Sequence, residues 1–376
     1  MSELLTANII NIIIFGVLYI TFILTPKLTR KDLIFGVFIP LDRAKDKEIK
    51  RITKQYAIEL TVFTLIALAA YFFLLNAINM LPGVFIISIF AFMIGYFLIF
   101  LRANHKVKKY KSDNNLMENK KQMVYVNTTM SKKLRSDAVL SFYWFLIPLG
   151  IALLNLIIPL TKYDELPTKI AIHWGIDGTA NNFVEKSVGA VVTQGLVMMG
   201  VVILLIFTNY SIAISKNRID AAKPIASSQK LFKFKKINSL FIFSIAIIVS
   251  TLITLLNFNS LNIISVNFKL LTPILIIVFL VIIIIPIALD IRYGQGGSNL
   301  KDTTEEKSED DVTNIDDDAY WKLGSIYYNP NDPSIFVEKR FGVGWTLNFG
   351  NKIAIIISVV LLIFIISILL FPMIFS

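Results

Sequence analysis

Apolar residues in this chain are gathered into long blocks separated by short polar intervals. The blocks run to roughly 17–23 residues, the length that carries a helix across about 30 Å of hydrocarbon at 1.5 Å per residue. Eight can be marked: about 4–24, 57–78, a third ending near Leu101, 138–160, 188–210, 240–256, 270–289 and 353–371. The pattern predicts an all-α polytopic membrane protein with about eight transmembrane helices. A few residues interrupt the blocks. Asn8, Asn11 and Asn155 read as amides bonded to neighbouring helices, because the alternative in lipid is an unpaired polar group. Pro148 and Pro286 mark bends. Glu59 is a functional candidate as an intramembrane acid, although its place at the edge of the second block favours an ion pair with a nearby cation.

The polar intervals change this picture through their charge. The chain holds 37 Lys and Arg against 26 Asp and Glu, a net charge of +11. All the cations except Lys162, Lys169, Lys186 and Lys269 fall in the loops 25–56, 102–137, 213–238 and 291–352. The positive-inside rule places these four loops in the cytoplasm, so both termini are expected to face out. In a soluble protein the same charge would point to nucleic acid, but 55% hydrophobic residues with 17% charged lie outside the soluble range. No direct nucleic-acid contact is expected. The first block begins at Leu4 with no basic residue before it and no small-residue cleavage site after it, and reads as a retained span.

Residues 1–137 thus hold three spans with basic cytoplasmic loops, 138–212 a helix pair bearing an outer segment at 161–187, and 213–297 a basic loop with spans six and seven. The phrase Asp32–Pro40 is apolar but too short to span, and reads as lying along the membrane interface. Ile49, Ile52 and Tyr56 recur at helical spacing among lysines, which predicts a basic helix leading into the second span. Residues 298–318 are acidic and poor in apolar side chains, with Glu305, Glu306, Glu309, Asp310, Asp311, Asp316, Asp317 and Asp318; such a tract is expected to be a disordered tether. Residues 319–351 are the reverse. Trp321, Tyr327, Tyr328, Phe336, Phe341, Trp345 and Phe349 stand among the turn sequences Asn329–Pro333 and Gly342–Gly344, predicting a small cytoplasmic β-meander before the last span in 352–376.

Catalytic templates find no match. The chain has no cysteine, which removes disulfides, thiolate metal sites and cysteine nucleophiles. Its two histidines, His105 and His173, fall on opposite sides of the expected membrane and cannot make an H-E-x-x-H zinc site. Neither lies in a span, as an intramembrane serine site would need. Gly342, Gly344 and Gly350 are turn glycines rather than a phosphate cradle. No enzyme activity and no cofactor is expected. Outside, His173 stands beside Trp174 near Asp164, Glu165, Asp177 and Glu185. It reads as a structural residue, with a pH-sensitive contact or a metal ligand as alternatives, and Asp177-Gly178 is a turn signal.

The residues Leu166-Pro167, Ile170, His173-Trp174, Gly178, Phe183 and Lys186 resemble the pattern L-P-x-x-I-P-x-H-[FW]-x-x-x-G-x-x-D-x-[WY]-x-x-K of a bacterial membrane domain of unknown function, also found in the family of the immunity protein against the Sdp killing toxin. The pattern's second proline falls on Ala171 and its aspartate on Asn181. The stretch Trp321-Lys322-Leu323-Gly324, with Ile326 to Pro330 and Gly344 to Phe349, resembles a second uncharacterised domain often joined to the first. The two motifs cover about fifty residues. The resemblance implies protection of the membrane against a peptide, or sensing of one, with signalling to a cytoplasmic partner.

Three functional classes follow. The first is an immunity-like resistance or envelope-sensing protein whose outer loop (His173, Trp174, Asp177, Gly178, Lys186) meets an extracellular peptide, while Trp321, Tyr328, Asn329, Trp345 and Asn348 face a cytoplasmic regulator. The second is a transporter of a small solute or peptide, for which internal repeats and midplane charges are wanted. The third is an enzyme or assembly factor acting on lipid-linked substrates. The lipid bilayer is a partner in all three, and oligomeric state is open. High Ile, Lys and Asn usage points to an AT-rich bacterial genome and says nothing of function.

Overall fold

The computed structural model describes residues 3–77, 81–118, 121–123, 132, 137–174, 179–266, 268–301 and 312–375. The long apolar blocks are helices, because backbone groups in hydrocarbon can be satisfied only within the segment. Among the described residues, seven helices are long and apolar enough to cross a membrane: Glu3–Leu28 (α1), Lys47–Ala77 (α2), Leu81–Asp113 (α3), Phe142–Thr161 (α4), Val188–Ile214 (α5), Pro224–Ser260 (α6) and Phe268–Tyr293 (α7). A further helix, Lys352–Phe375 (α8), is 24 residues long and apolar beyond Lys352. The chain is a polytopic membrane protein.

The helices associate in two groups. In the first, α2 lies against α3 with α1 across both, around Phe15, Tyr71, Leu75, Val84 and Phe92. In the second, α4, α5 and α6 pack on one another, and α8 lies on α5. Polar pairs register both groups. Asn11 donates to the Tyr71 hydroxyl, and Asn257 Nδ2 donates to Asn155 Oδ1 at 2.7 Å. Deeper toward the basic end, Leu140 N donates to Ser239 Oγ at 2.7 Å, and Asn209 takes the Ser239 hydroxyl while donating to Leu140 O. Glu59 of α2 meets Arg102 of α3 at 3.4 Å and accepts from Gln55, so the acid joins two helices.

Several helices run past the bilayer. At 33 residues α3 spans about 50 Å, which lifts Asn104 and Lys111 into the polar region. The basic helix expected over 49–56 is the first part of α2, with Ile49, Ile52 and Tyr56 buried. The phrase Asp32–Pro40 departs from expectation. It forms a hairpin, Leu33–Ile34 (β1) with Val37–Phe38 (β2), and Leu33, Phe35, Val37, Phe38 and Ile39 are all buried in protein rather than laid on lipid. The reason is the turn: Phe35 and Gly36 both have positive φ (48° and 79°), the pair that closes a two-residue hairpin.

The expected meander is instead two separate hairpins, Trp321–Lys322 (β7) with Ile326–Tyr327 (β8), and Phe336–Glu338 (β9) with Trp345–Leu347 (β10). Strand β8 does not continue into β9, because Asn329–Pro333 is held by side-chain turns. Asn331 N donates to Asn329 Oδ1 and Ser334 N to Asp332 Oδ1. A bridge between Tyr327 and Asn348 joins the hairpins. Two further strands, Lys121–Met123 (β3) and Val312–Asn314 (β6), pair in parallel. Residues 312–318 also depart from the expected tether, since they are built into this region by the contacts below; 302–311 lie outside the described residues.

Candidate functional site: a charged platform built from four loops

All four basic loops meet at one end of the helices. The β1–β2 hairpin, the projecting end of α3, the α5–α6 connection and the two aromatic hairpins form one body, held by carboxylates from 316–338 and cations from the loops. Arg218 meets Asp317 at 2.9 Å, Lys111 reaches both Asp316 and Asp318 at 2.6 Å, and Lys216 meets Asp332 at 2.7 Å. Arg30 meets Asp32 at 3.1 Å and donates to Arg218 O. At the centre Arg340, only 3% exposed, donates to Asp317, to Asp318 and to Gly36 O. Its guanidinium also sits 5.3 Å from the Trp321 ring centre.

Glycine chemistry makes this approach possible. A Cβ on Gly36 would lie 2.1 Å from Gly324 O, and Gly324 itself has φ +71 in the β7–β8 turn. The two hairpin turns therefore stack directly on each other. Asn104 Nδ2 pins the stack from α3 by donating to Phe35 O at 2.7 Å.

The network sets the protonation of its members. Burial opposes charge on Asp317, but Arg340 and Arg218 outweigh it and hold the carboxyl below its ordinary value. Burial likewise opposes charge on Asp318, against Arg340 and Lys111, and on Asp32, against Arg30 and Arg218; both stay lowered. Asp332 is lowered as well, because hydrogen bonds from Lys216 and Ser334 offset its burial. Glu338 goes the other way. Burial raises it, Arg30 stands 3.9 Å off, and its Oε1 has no hydrogen bond, although Oε2 accepts Arg218 N at 2.9 Å.

A cavity of about 290 Å³ opens in the platform, where Trp321, Tyr327 and Asn329 stand among charged side chains that include Arg218, Asp317 and Arg340. Of the expected inner residues, Trp321 and Asn329 line it and Tyr328 is exposed nearby. Asn348, fully buried, holds the 329–333 turn by donating to Asn329 O and Asp332 O. Trp345 donates to Asn217 Oδ1 at 2.9 Å and packs on Phe234. Sequence reasoning missed Arg30, Asp32, Lys111, Arg218, Glu338 and Arg340. The available signal was arginine in a lysine-rich chain, because guanidinium is preferred for buried pairs.

At the other end of the helices, Lys169–Trp174 (β4) and Ala180–Glu185 (β5) form a hairpin with a bulge at His173, which faces Asn182. The His173 side chain, Asp177 and Gly178 lie outside the described residues. Trp174 is half-buried, and Ile172 and Phe183 are exposed. Lys186 is a clamp: its ammonium donates to Tyr163 O and Leu166 O at 3.2 and 3.1 Å and sits over the Tyr163 ring. Leu166, Ile170, Val191 and Leu261 make the core beneath, and Ser260 donates to Ala171 O. Among the described residues no group of His, Asp and Glu could hold a metal ion.

Both polar ends carry a family match. Residues 150–198, with the β4–β5 hairpin, match a domain of unknown function (DUF1648), and residues 330–355, with β9 and β10, match a family of unknown function (DUF5808). No curated protein and no solved structure matches the chain. The fold is that of a multi-pass membrane protein, and the two matches are to uncharacterised families.

Proposed function

We propose that this chain is an envelope-sensing membrane protein of the peptide-resistance kind. The outer hairpin meets an extracellular peptide, and the platform transmits the state of the helices to a cytoplasmic regulator without a catalytic step. The observation that carries this reading is α5. It begins just after Lys186, whose ammonium clamps the hairpin base, and ends just before Lys216, whose backbone N–H donates to Phe336 O and whose O accepts Glu338 N. One helix is thus bonded into both polar ends, and a displacement of the hairpin has a direct mechanical route to β9. The exposed Ile172 and Phe183 offer an apolar contact to an amphipathic peptide. Loop charge supports a hairpin outside the cell and a platform inside, with α8 as an eighth crossing.

Deleting the encoding gene should lower the concentration of membrane-active peptide that stops growth. The wild-type chain should restore resistance, and the double variant Ile172→Asp/Phe183→Asp should not. Unchanged sensitivity together with unchanged transcription of neighbouring genes would overturn the proposal.

A further inference from the structure

Two bulky residues stand in left-handed backbone conformation, each followed by a left-handed glycine. Phe35 (φ 48) precedes Gly36 in the β1–β2 turn, and Leu323 (φ 52) precedes Gly324 in the β7–β8 turn. Asparagine and glycine adopt such turns most readily, and a bulky L-side chain there is strained. Burial in protein offsets the strain at Phe35, which is 1% exposed and packs on Tyr56 and Phe341. Leu323 is 51% exposed, so the described part of the protein gives it no comparable burial.

Helix α3 gauges the depth of this turn. Its apolar run ends at Leu101, and Arg102 is its first cation. Far from the bilayer, Lys111 meets Asp318 just ahead of β7. Seven residues back along α3, about 10 Å closer to the bilayer, the hairpin tip meets the helix again: a Cβ on Gly324 would lie 2.3 Å from Asn104 Nδ2 and 3.2 Å from Phe100 Cζ. Long side chains lean toward the N-terminus of their helix, which for α3 is the far side of the membrane, so the Phe100 ring lies deeper than its backbone. The hairpin therefore points its turn down α3 to a level where the helix is still apolar, and exposed Leu98 continues that surface inward. Behind the tip, Lys322 and Ile326 pair on the exposed face, and at the base Tyr328 N donates to Tyr320 O, both tyrosines being exposed. An apolar tip with tyrosines behind it is the order that a bilayer interface selects.

We infer that the β7–β8 turn is seated in the lipid leaflet on the platform side, with Leu323 against the acyl chains. The leaflet then does for Leu323 what the protein core does for Phe35. Because Gly324 stacks on Gly36 and Trp321 lies against Arg340, this seat ties the centre of the platform to the bilayer at a point apart from the spanning helices. It requires no peptide and holds whichever side of the membrane the platform occupies.

The full chain has no cysteine, so Leu323→Cys, Leu98→Cys and Lys108→Cys each accept one nitroxide spin label. In phosphatidylcholine nanodiscs, relaxation of the label is measured with oxygen, which partitions into lipid, and with a nickel chelate, which stays in water. Leu98, exposed within the span, gives the lipid response, and Lys108, exposed on α3 beyond Arg102, gives the water response. The label at Leu323 should respond to oxygen in preference to the chelate, as at Leu98. Preference for the chelate, or shielding from both reagents, overturns the inference. Leu323→Asn supplies a second readout, amide exchange over 321–327 relative to 336–347 in the same nanodiscs. Asparagine relieves the backbone, so in a turn facing water the variant slows relative exchange or leaves it unchanged, and either result counts against the seat. In lipid, the lost apolar burial and the desolvated amide outweigh that relief, and relative exchange should quicken.

Discussion

Arg340 is the residue on which the platform turns. It is buried with two carboxylates and a carbonyl around it, and removing one partner of a buried charge pair leaves the others uncompensated. Arg340→Ala should therefore cost about 3–5 kcal/mol in docking of the aromatic hairpins, read as proteolytic cleavage within 312–350 under conditions where the wild type is resistant. Gly36→Ala should be costly for a different reason. It adds backbone overlap with Gly324 to the roughly 1–2 kcal/mol of an L-residue in left-handed conformation. The pH response follows from the lowered carboxyls. Asp32, Asp317, Asp318 and Asp332 have folded-state pKa values below their unfolded ones, so their stabilisation is complete above about pH 4 and is lost as pH falls through the lowered values. Glu338, raised by burial, contributes in the opposite sense, most fully when protonated and less as pH rises through its folded-state value. Glu338→Gln should thus remove a loss of stability that sets in above about pH 4.5 and leave the acid limb in place, measured by thermal unfolding in detergent.

Lys186 shows how a motif residue changes meaning at the level of elements. Its match in the outer pattern marked it for recognition, whereas its ammonium is spent on two carbonyls at the hairpin base. Lys186→Ala should speed amide exchange over 163–168 and 185–187 while leaving the platform protected, a local loss of about 1–3 kcal/mol. In the membrane, Asn257→Leu leaves Asn155 Oδ1 without its donor and should weaken the contact of α4 with α6 by about 1 kcal/mol. The helices themselves were legible, since a block of apolar residues of spanning length has one outcome in lipid. The extra-membrane elements were legible only in part. Gly342–Gly344 closes a hairpin as its turn chemistry implies, but Asn329–Pro333 separates two hairpins, because Asn329 and Asp332 bind their own turn instead of presenting a ladder. Asp32–Pro40 is not legible without tertiary context: an apolar phrase of that length suits an interface equally well, and only the contacts of Gly36 with Gly324 and of Phe35 O with Asn104 distinguish the two.

Across the whole molecule, the four loops separated by charge counting converge on one body, through pairs such as Arg30 with Glu338, Lys111 with Asp318 and Lys216 with Asp332. Sequence showed that these loops share a side. It did not show that they touch, since an acidic tract reads alike whether solvated or docked, and only the positions of Lys111, Arg218 and Arg340 select the second outcome for Asp316, Asp317 and Asp318. The same architecture puts the outer hairpin at the far end of the helices, with α5 between. Thiol labelling tests this two-ended arrangement most directly, because a chain without cysteine gives no background. With a membrane-impermeant maleimide on intact cells, Phe183→Cys should react at once and Lys322→Cys only after permeabilisation. Labelling of both positions from the same side would contradict the account.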